Sequence, residues 1–538
     1  MKEHSNFIKT IMAADLESGK HTKIITRFPP EPNGYLHIGH ARALTINFEL
    51  AKVFGGTTYL RFDDTNPEQE DIKYVNSIIE DIHWLGFVPE KIFYASDYFQ
   101  EMYQRAILLI QRGLAYVDDQ TAEEISLTRG SLTEPGKHSP YRNRSVEENL
   151  TLFDNMKKGL YKVGEKVLRA KIDMASPNMN MRDPVIYRIS YEPHYRTGSE
   201  WCIYPLYDYA HPLEDAIEGI THSLCSLEFE DHRPLYDWVV KETQMPNVPR
   251  QIEFGRLNIE NTVMSKRYLR QLVEREKVTG WDDPRMPTLS GLRRRGYSPE
   301  AIKEFILATG LSKNNSTVSR EMLEAYLRDD LQTKTAKIMA VIKPLKVTVT
   351  NYPEGEVEKI QTLLDPQDES KGFKTLYFSR HLYIDRDDFL VEKPNKRWKR
   401  LSKGLEVRLF NAYFIHCHEV VYDQKGEVKE ILVTYDKETK SGTGFTARRP
   451  NGTISYVEAT TALKVRFNLF GPLVFDGEEP FLERLNPNSW LVEEGFVEKA
   501  FEGIKEAVQL MRIGYFIQDN KTEKRVLNRI VELRSSYK

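Results

Sequence analysis

Two imidazoles three positions apart, His37 and His40, close the string Pro29-Pro30-Glu31-Pro32-Asn33-Gly34-Tyr35-Leu36-His37-Ile38-Gly39-His40. Ring N–H groups so placed can neutralise charge gathering on phosphate oxygens. A helix beginning there would add backbone N–H groups and the positive end of its dipole. Gly34 and Gly39 have the spacing of a phosphate loop, but His40-Ala41 replaces the Lys-Ser/Thr pair that such a loop needs for phosphate and magnesium, so that reading is excluded. Gly39 lets a flat ring approach the backbone, and the prolines stiffen the turn. A second candidate is Val263-Met264-Ser265-Lys266-Arg267, where a lysine follows a Ser cap at the head of a helical run. Alone, such a pentapeptide is a common surface turn, and a lone His-x-x-His pair is common too.

Other residues offer complementary chemistry. Asp63, in Arg61-Phe62-Asp63-Asp64-Thr65-Asn66-Pro67, stands at a strand exit, where the sheet rule expects ligands and where an acid otherwise commonly caps a helix. The run Lys393-Pro394-Asn395-Lys396-Arg397-Trp398-Lys399-Arg400 sets five cations around one indole, a pattern suited to unpaired nucleotides. Cys202, Cys225 and Cys417 stand too far apart for a disulfide framework or a zinc ribbon, which predicts a reducing cytoplasm.

These residues need elements to position them. Residues 23–28 alternate like a strand, 40–54 have helical spacing, 57–62 read as a second strand and 71–85 as a helix. That is the βαβα opening of a parallel sheet, with ligands expected beyond the strand ends. Residues 111–204 break into irregular polar segments, including Arg129-Gly130-Ser131-Leu132-Thr133-Glu134-Pro135-Gly136, and look like an insertion. Residues 268–331 are helix-rich; beyond Lys337 alternation returns at 346–350 and 407–416, with a hairpin signal at 423–426, predicting barrels or sandwiches. Residues 6–16 predict an amphipathic helix, not a signal peptide. At 538 residues several domains are required, and no apolar run approaches the length of a membrane span. With a formal net charge of −3, a polyanionic partner must be met by local basic patches.

The two signature strings, in this order and separation, resemble those of class I aminoacyl-tRNA synthetases, and Glu31-Pro32-Asn33-Gly34 is the variant of the glutamine-charging branch. The resemblance runs from residue 6 onward and is strongest through Arg295. It implies an α/β fold: a Rossmann-like parallel-sheet catalytic domain in two halves (1–105 and 205–262), an inserted acceptor-end-binding domain (106–204), a signature loop with a helical subdomain (263–335), and two anticodon-binding β-barrels (336–538). His37, His40 and Lys266 would be catalytic. ATP would be contacted by Glu31, Pro32, Asn33, His37, Ile38, Gly39, His40, Ala41, Arg42, Ala43, Ser226, Arg256, Leu257, Met264, Ser265 and Lys266. Arg27, Asp63, Tyr207, Cys225 and Gln251 would form the glutamine pocket, and Leu132, Asp231, Lys337, Arg397 and Arg400 would touch tRNA(Gln).

The further implications are ATP with Mg²⁺ on its phosphates, no membrane partner, a cytoplasmic monomer, and activation that waits for bound tRNA. The nearest rival is a glutamate-charging relative. Such enzymes neutralise the substrate carboxylate with an arginine where Thr221-His222-Ser223-Leu224-Cys225-Ser226 puts Cys225, and an unpaired buried carboxylate costs several kcal/mol. A small nucleotidyltransferase would not need the insertion and β domains, and a silent tRNA-binding module would not need both signatures.

Overall fold

The structure, a computed structural model, describes residues 6–522 and 525–533. These fall into two compact units. One runs through Ile259 and takes back Lys303–Val318; the other comprises Glu260–Ile302 and continues from Ser319.

The first unit opens with α1 (Phe7–Glu17), whose N-cap Asn6 accepts the Lys9 N–H and whose inner face buries Ile8 and Met12. Then come β1 (Ile25–Phe28), α2 (Ile38–Val53), β2 (Thr57–Phe62), α3 (Ile72–Trp84) and β3 (Ile92–Tyr94). Asp71, capping α3, accepts from Lys73. The three strands pair in parallel in the order β1-β2-β3. β2 is buried at every position after Thr57, as parallel strands covered on both faces must be.

After α4 (Phe99–Gln111) comes the inserted region, and here the expectation of irregular structure is corrected. It folds as β4 (Ala115–Asp118), α5 (Ala122–Thr128), α6 (Val146–Lys157), β5 (Val167–Ala170), β6 (Val185–Ile189) and β7 (Ile203–Pro205). The four strands form one antiparallel sheet in sequence order. Phe153, Leu168, Tyr187 and Trp201 are buried with Tyr103 of α4. The chain re-enters the parallel layer through α7 (Tyr207–Glu218), β8 (His222–Ser226), α8 (Arg233–Glu242) and β9 (Arg250–Phe254). Tyr209, Leu213, Leu235 and Val239 join the insertion's core, so α7 and α8 are shared walls. β8 pairs with β9 in parallel, and Thr221 at the head of β8 donates to Ile25 O of β1. β1 and β8 lie side by side, so the three-stranded and two-stranded parallel sheets abut in the spatial order β3-β2-β1-β8-β9, reversing direction of progress between β1 and β8.

Gly255 then turns the chain into β10 (Leu257–Ile259). A Cβ at that glycine would stand 1.9 Å from Asn314 O, so no other residue fits.

The second unit contributes α9 (Lys266–Glu274) and α10 (Leu289–Arg295), and from Ala336 onward its regular structure is strands and short 3-10 turns. α11 (Pro299–Ala308) begins in this unit and ends in the first, where β11 (Ser316–Val318) pairs with β10. α12 (Arg320–Lys334) leads into two seven-stranded, mostly antiparallel sheets, each with its own core. The expected hairpin joins Phe414–Tyr422 to Val428–Asp436, with Gly426 N–H donating to Asp423 O. Residues 407–416 are not one strand. They divide between Glu406–Leu409 and Phe414–Tyr422 at a turn where Asn411 has φ 55°.

Candidate active site at the switch point of the parallel sheet

In parallel sheets, ligands are expected beyond the strand ends where the order reverses, here between β1 and β8, and the loop from β1 to α2 leaves β1 at that end. His37 is the N-cap of α2, and its Nδ1 accepts the Gly39 N–H at 3.1 Å. His40 Nδ1 accepts the His37 N–H at 3.0 Å. This is a capping box built from two imidazoles. The rings lie 3.9 Å apart between centroids. Because each Nδ1 is an acceptor, a neutral ring must bear its hydrogen on Nε2, which makes both histidines Nε2–H donors at a helix N-terminus.

The loop is pinned to its neighbours. Asp63 N donates to Pro30 O at 3.1 Å, and Asp71 N donates to Pro32 O at 3.1 Å. Pro32, Ile38 and Ala41 are buried, while Glu31, Asn33, Gly39 and Ala43 are partly exposed. Arg42 is buried and faces away from solvent: it donates to Thr309 Oγ1 at 2.8 Å and Gly310 O at 3.1 Å, clamping α2 to the segment after α11.

Asp63 sits at the exit of β2, buried, accepting from Thr65 Oγ1 at 2.9 Å. Burial raises its pKa to about 6. The next residue, Asp64, accepts from Ser96 N and Oγ, both at 2.7 Å, and from the Tyr195 hydroxyl at 3.2 Å. His194 Nε2 lies 2.8 Å from Asp64 O. The Asp63 loop is thereby tied to the insertion.

Tyr207, first in α7, stacks on His211 at 4.9 Å and lies 5.2 Å from the Phe229 ring. Gln251 on β9 pairs in register with Ser223 and donates to Phe229 O at 3.1 Å and Glu253 Oε1 at 2.9 Å. Cys225 is partly buried beside it on β8, and burial pushes its thiol up to about 12, so it is uncharged.

Arg27 is wholly buried. Its Nε donates to Asp215 Oδ1 at 3.0 Å, Nη1 to Leu224 O at 2.7 Å, and Nη2 to Ser223 Oγ at 2.5 Å, with His211 Nε2 2.7 Å from Nη2. It therefore acts on the crevice through what it holds.

That network was not anticipated. Arg61 is also fully buried, within 2.8 Å of Glu214, Asp215 and Glu218. His211, Glu214, Asp215 and Glu218 recur at helical spacing along one face of α7, a polar stripe readable in the sequence as a face turned toward buried cations. Burial alone would raise the Asp215 carboxyl, but Arg27, His211 and Arg61 hold it well below the carboxylate range. Arg233 forms a two-pronged pair with Glu253. Both cations that bear on Cys225 are thus already matched by carboxylates.

At the far side of β8, Ser226 Oγ donates to Glu228 Oε1 at 2.8 Å. The Arg256 N–H donates to Asn315 Oδ1 at 2.8 Å while its side chain pairs with Glu228; Leu257 is buried in β10. Met264 and Ser265 precede α9 in the second unit, and Lys266 is its first residue.

The residues expected to meet nucleic acid divide into two groups. Leu132 is 82% exposed at the tip of a braced turn. Arg182 Nη1 donates to the carbonyls of Arg129, Ser131 and Glu134, each at 2.9 Å. Asp231 is exposed and its side chain caps nothing: the N-cap of α8 is His232. Arg397 is exposed, and Arg400 is part-buried, 5.6 Å from the Trp398 ring and donating to Asp387 O. Lys337 is buried, donating to Gln332 O at 3.0 Å, 3.7 Å from Asp365, on the wall of a cavity of about 690 Å³ shared with Gln509, Arg512 and Tyr515. No helix among the described residues is long and apolar enough to cross a membrane.

Comparison with known proteins matches residues 23–333 to "tRNA synthetases class I (E and Q), catalytic domain". Residues 336–436 and 453–519 match the two anti-codon binding domains of the same group. A protein named "Glutamine--tRNA ligase" from Clostridium perfringens is 59% identical, covering 100% of this chain and 99% of its own. Proteins of that name from Clostridioides difficile and Clostridium kluyveri are 57% and 54% identical, each covering 99% of this chain and 98% of theirs. The chain belongs to the class I (E and Q) tRNA synthetases.

Proposed function

We propose that this chain joins glutamine to tRNA(Gln) in two steps, with ATP entering as its magnesium complex. The glutamine carboxylate attacks the α-phosphorus and pyrophosphate leaves; a 2′-hydroxyl of the tRNA terminal adenosine then takes the glutaminyl group from the adenylate. The protein supplies no nucleophile to activation. It supplies donors where negative charge gathers, and that is the role of the Nε2–H groups of His37 and His40 and the ammonium of Lys266.

Glu31, Pro32, Asn33, Ile38, Gly39, Ala41 and Ala43 shape the nucleotide cradle. Arg42 holds that helix in place. Ser226, Arg256 and Leu257 are ATP contacts, the last two through backbone groups, and Met264 and Ser265 of the signature loop are ATP contacts as well. Asp63 takes the α-ammonium beside Tyr207. Cys225 and Gln251 face the side-chain amide, and Arg27 fixes their surroundings through Asp215 and Leu224. Leu132, Asp231, Lys337, Arg397 and Arg400 contact the tRNA. The domains follow the divisions at 105, 204, 262 and 335. The enzyme works as a cytoplasmic monomer.

The observation that carries the chemistry is the pair of imidazoles capping α2 with their Nδ1 atoms at the sheet's switch point. The preference for an amide rests on the uncharged Cys225 and on Arg27 and Arg233 being spent on Asp215 and Glu253. A substrate carboxylate there would have no counter-charge, and desolvating it would cost several kcal/mol. The test is charging of purified tRNA(Gln) and tRNA(Glu) with each amino acid. Glutamine on tRNA(Gln) is expected; preference for glutamate would overturn the specificity, and no charging of either would overturn the reading.

A further inference from the structure

The N-terminal helix meets the sheet at the end away from the histidine pair. Asp15 of α1, His21 in the turn after it and His222 at the head of β8 bring one carboxylate oxygen and two ring nitrogens within 4.8 Å of one another. β8 runs from His222 to Ser226, so at about 3.3 Å per residue this cluster lies some ~13 Å from the nucleotide end of the strand. None of its members belongs to the machinery described above.

Hydrogen positions make the cluster unusual. Thr221 Oγ1 accepts the Ile25 N–H at 2.8 Å and donates its own hydrogen to Ile25 O at 3.1 Å. His222 Nδ1 lies 2.9 Å from this hydroxyl, and His222 Nε2 faces Asp15 Oδ2 at 3.1 Å. When Thr221 accepts from Nδ1, Nε2 is left with a lone pair directed at the same point as the Asp15 carboxylate. His21 adds a third acceptor site: its Nε2 is buried without a hydrogen-bond partner, and its ring meets that of His222 edge-on at 5.3 Å. Arg250 Nη1 stands 3.2 Å from both Asp15 oxygens and Lys20 Nζ 3.7 Å from Oδ2. A carboxylate offers about four lone pairs, enough for Arg250 and a further ligand, and Lys20 is nearly half exposed and can swing aside.

We propose that Asp15, His21 and His222 hold a divalent transition ion of the zinc type. Two imidazoles and a carboxylate are a three-ligand donor set such ions take, one that leaves the fourth position open to water. The separation of His222 Nε2 and Asp15 Oδ2 already suits two bonds of about 2.0–2.1 Å meeting at a tetrahedral centre, and the His21 turn closes on it by roughly 1–2 Å. Thr221 is the outer hydrogen-bond partner of His222 and would orient its ring. The ion would staple α1 to the parallel sheet.

The test uses the full-length protein, stripped with a chelator and titrated separately with cobalt(II) and zinc(II). One site is expected, with the visible d–d bands of nitrogen- and oxygen-bound cobalt, displacement by zinc and a zinc-dependent rise in Tm. His21→Gln, at a half-buried turn that the core does not need, should fold and lose both signals; Lys20→Gln should tighten binding. His40→Gln should keep both signals, which separates this site from the histidine pair of α2. Absence of cobalt bands and zinc shift in the unmodified protein would overturn the proposal, and so would a His21→Gln protein that keeps them.

Discussion

His37 and His40 each give Nδ1 to the backbone at the start of α2, and in the proposed mechanism Nε2–H is the group offered to the nucleotide, so the helix start and the phosphate donors would be one construction. Lys266 is the first residue of α9, at the helix end where the dipole favours a nearby anion. Lys266→Ala should slow glutaminyl-adenylate formation by about two to three orders of magnitude with little change in ATP affinity. Single-turnover formation at an unchanged rate would remove lysine from the mechanism. Asp63 gives a pH dependence. Its pKa is raised from 3.8 to about 6, so ionising it costs folded stability as pH climbs through that interval, and the full cost persists above. Ammonium binding runs the other way, since it needs the carboxylate. kcat/KM for glutamine should therefore rise through about pH 6 and level off, and Asp63→Asn should lower it and flatten the profile; the same slope in both proteins would mean another group titrates. At this scale the sequence was legible where residue types are rare in combination, as in the paired histidines. It was not legible where ordinary residues meet across the fold. Arg27 stands on β1, yet its partners Asp215 and Leu224 come from α7 and β8, about two hundred positions on.

Among the elements, β1, α2, β2 and α3 lie within two residues or so of their expected bounds, because buried parallel strands and well-capped helices leave strong local signals. The insertion was misread for a physical reason: its strands are three to five residues long, and turns with Gly130, Gly136, Gly159 and Gly164 interrupt the periodicity. What orders it is long-range, above all the core shared with α4, α7 and α8. The Leu132 turn illustrates this, since Arg182 braces it from fifty positions away by collecting three carbonyls. Arg182→Ala should loosen the turn and lower charging of tRNA as much as Leu132→Ala does, with both defects smaller on a tRNA whose terminal acceptor pair is already mismatched. Equal defects on matched and mismatched tRNA would show that Leu132 is no wedge.

For the molecule as a whole, the buried charges under the crevice are a concentrated liability. Removing Asp215 would leave Arg27 and Arg61 without a shared counter-charge, so Asp215→Asn should cost roughly 3–5 kcal/mol, visible as an earlier unfolding transition of the first unit. A transition at the unmodified position would mean that Glu214 and Glu218 suffice. The same helix explains more than stability. One face of α7 carries His211, Glu214, Asp215 and Glu218 under the proposed glutamine pocket; the other carries Tyr209, Leu213 and Ala216 in the hydrophobic interior of the insertion. A close-packed rod gripped on both sides transmits force. On the proposed reading, an acceptor stem pressing on the insertion would lean on the floor of the amino-acid pocket. Glutamine should be held differently when that stem is seated than when it is not, with no message needed beyond the tilt of a single beam.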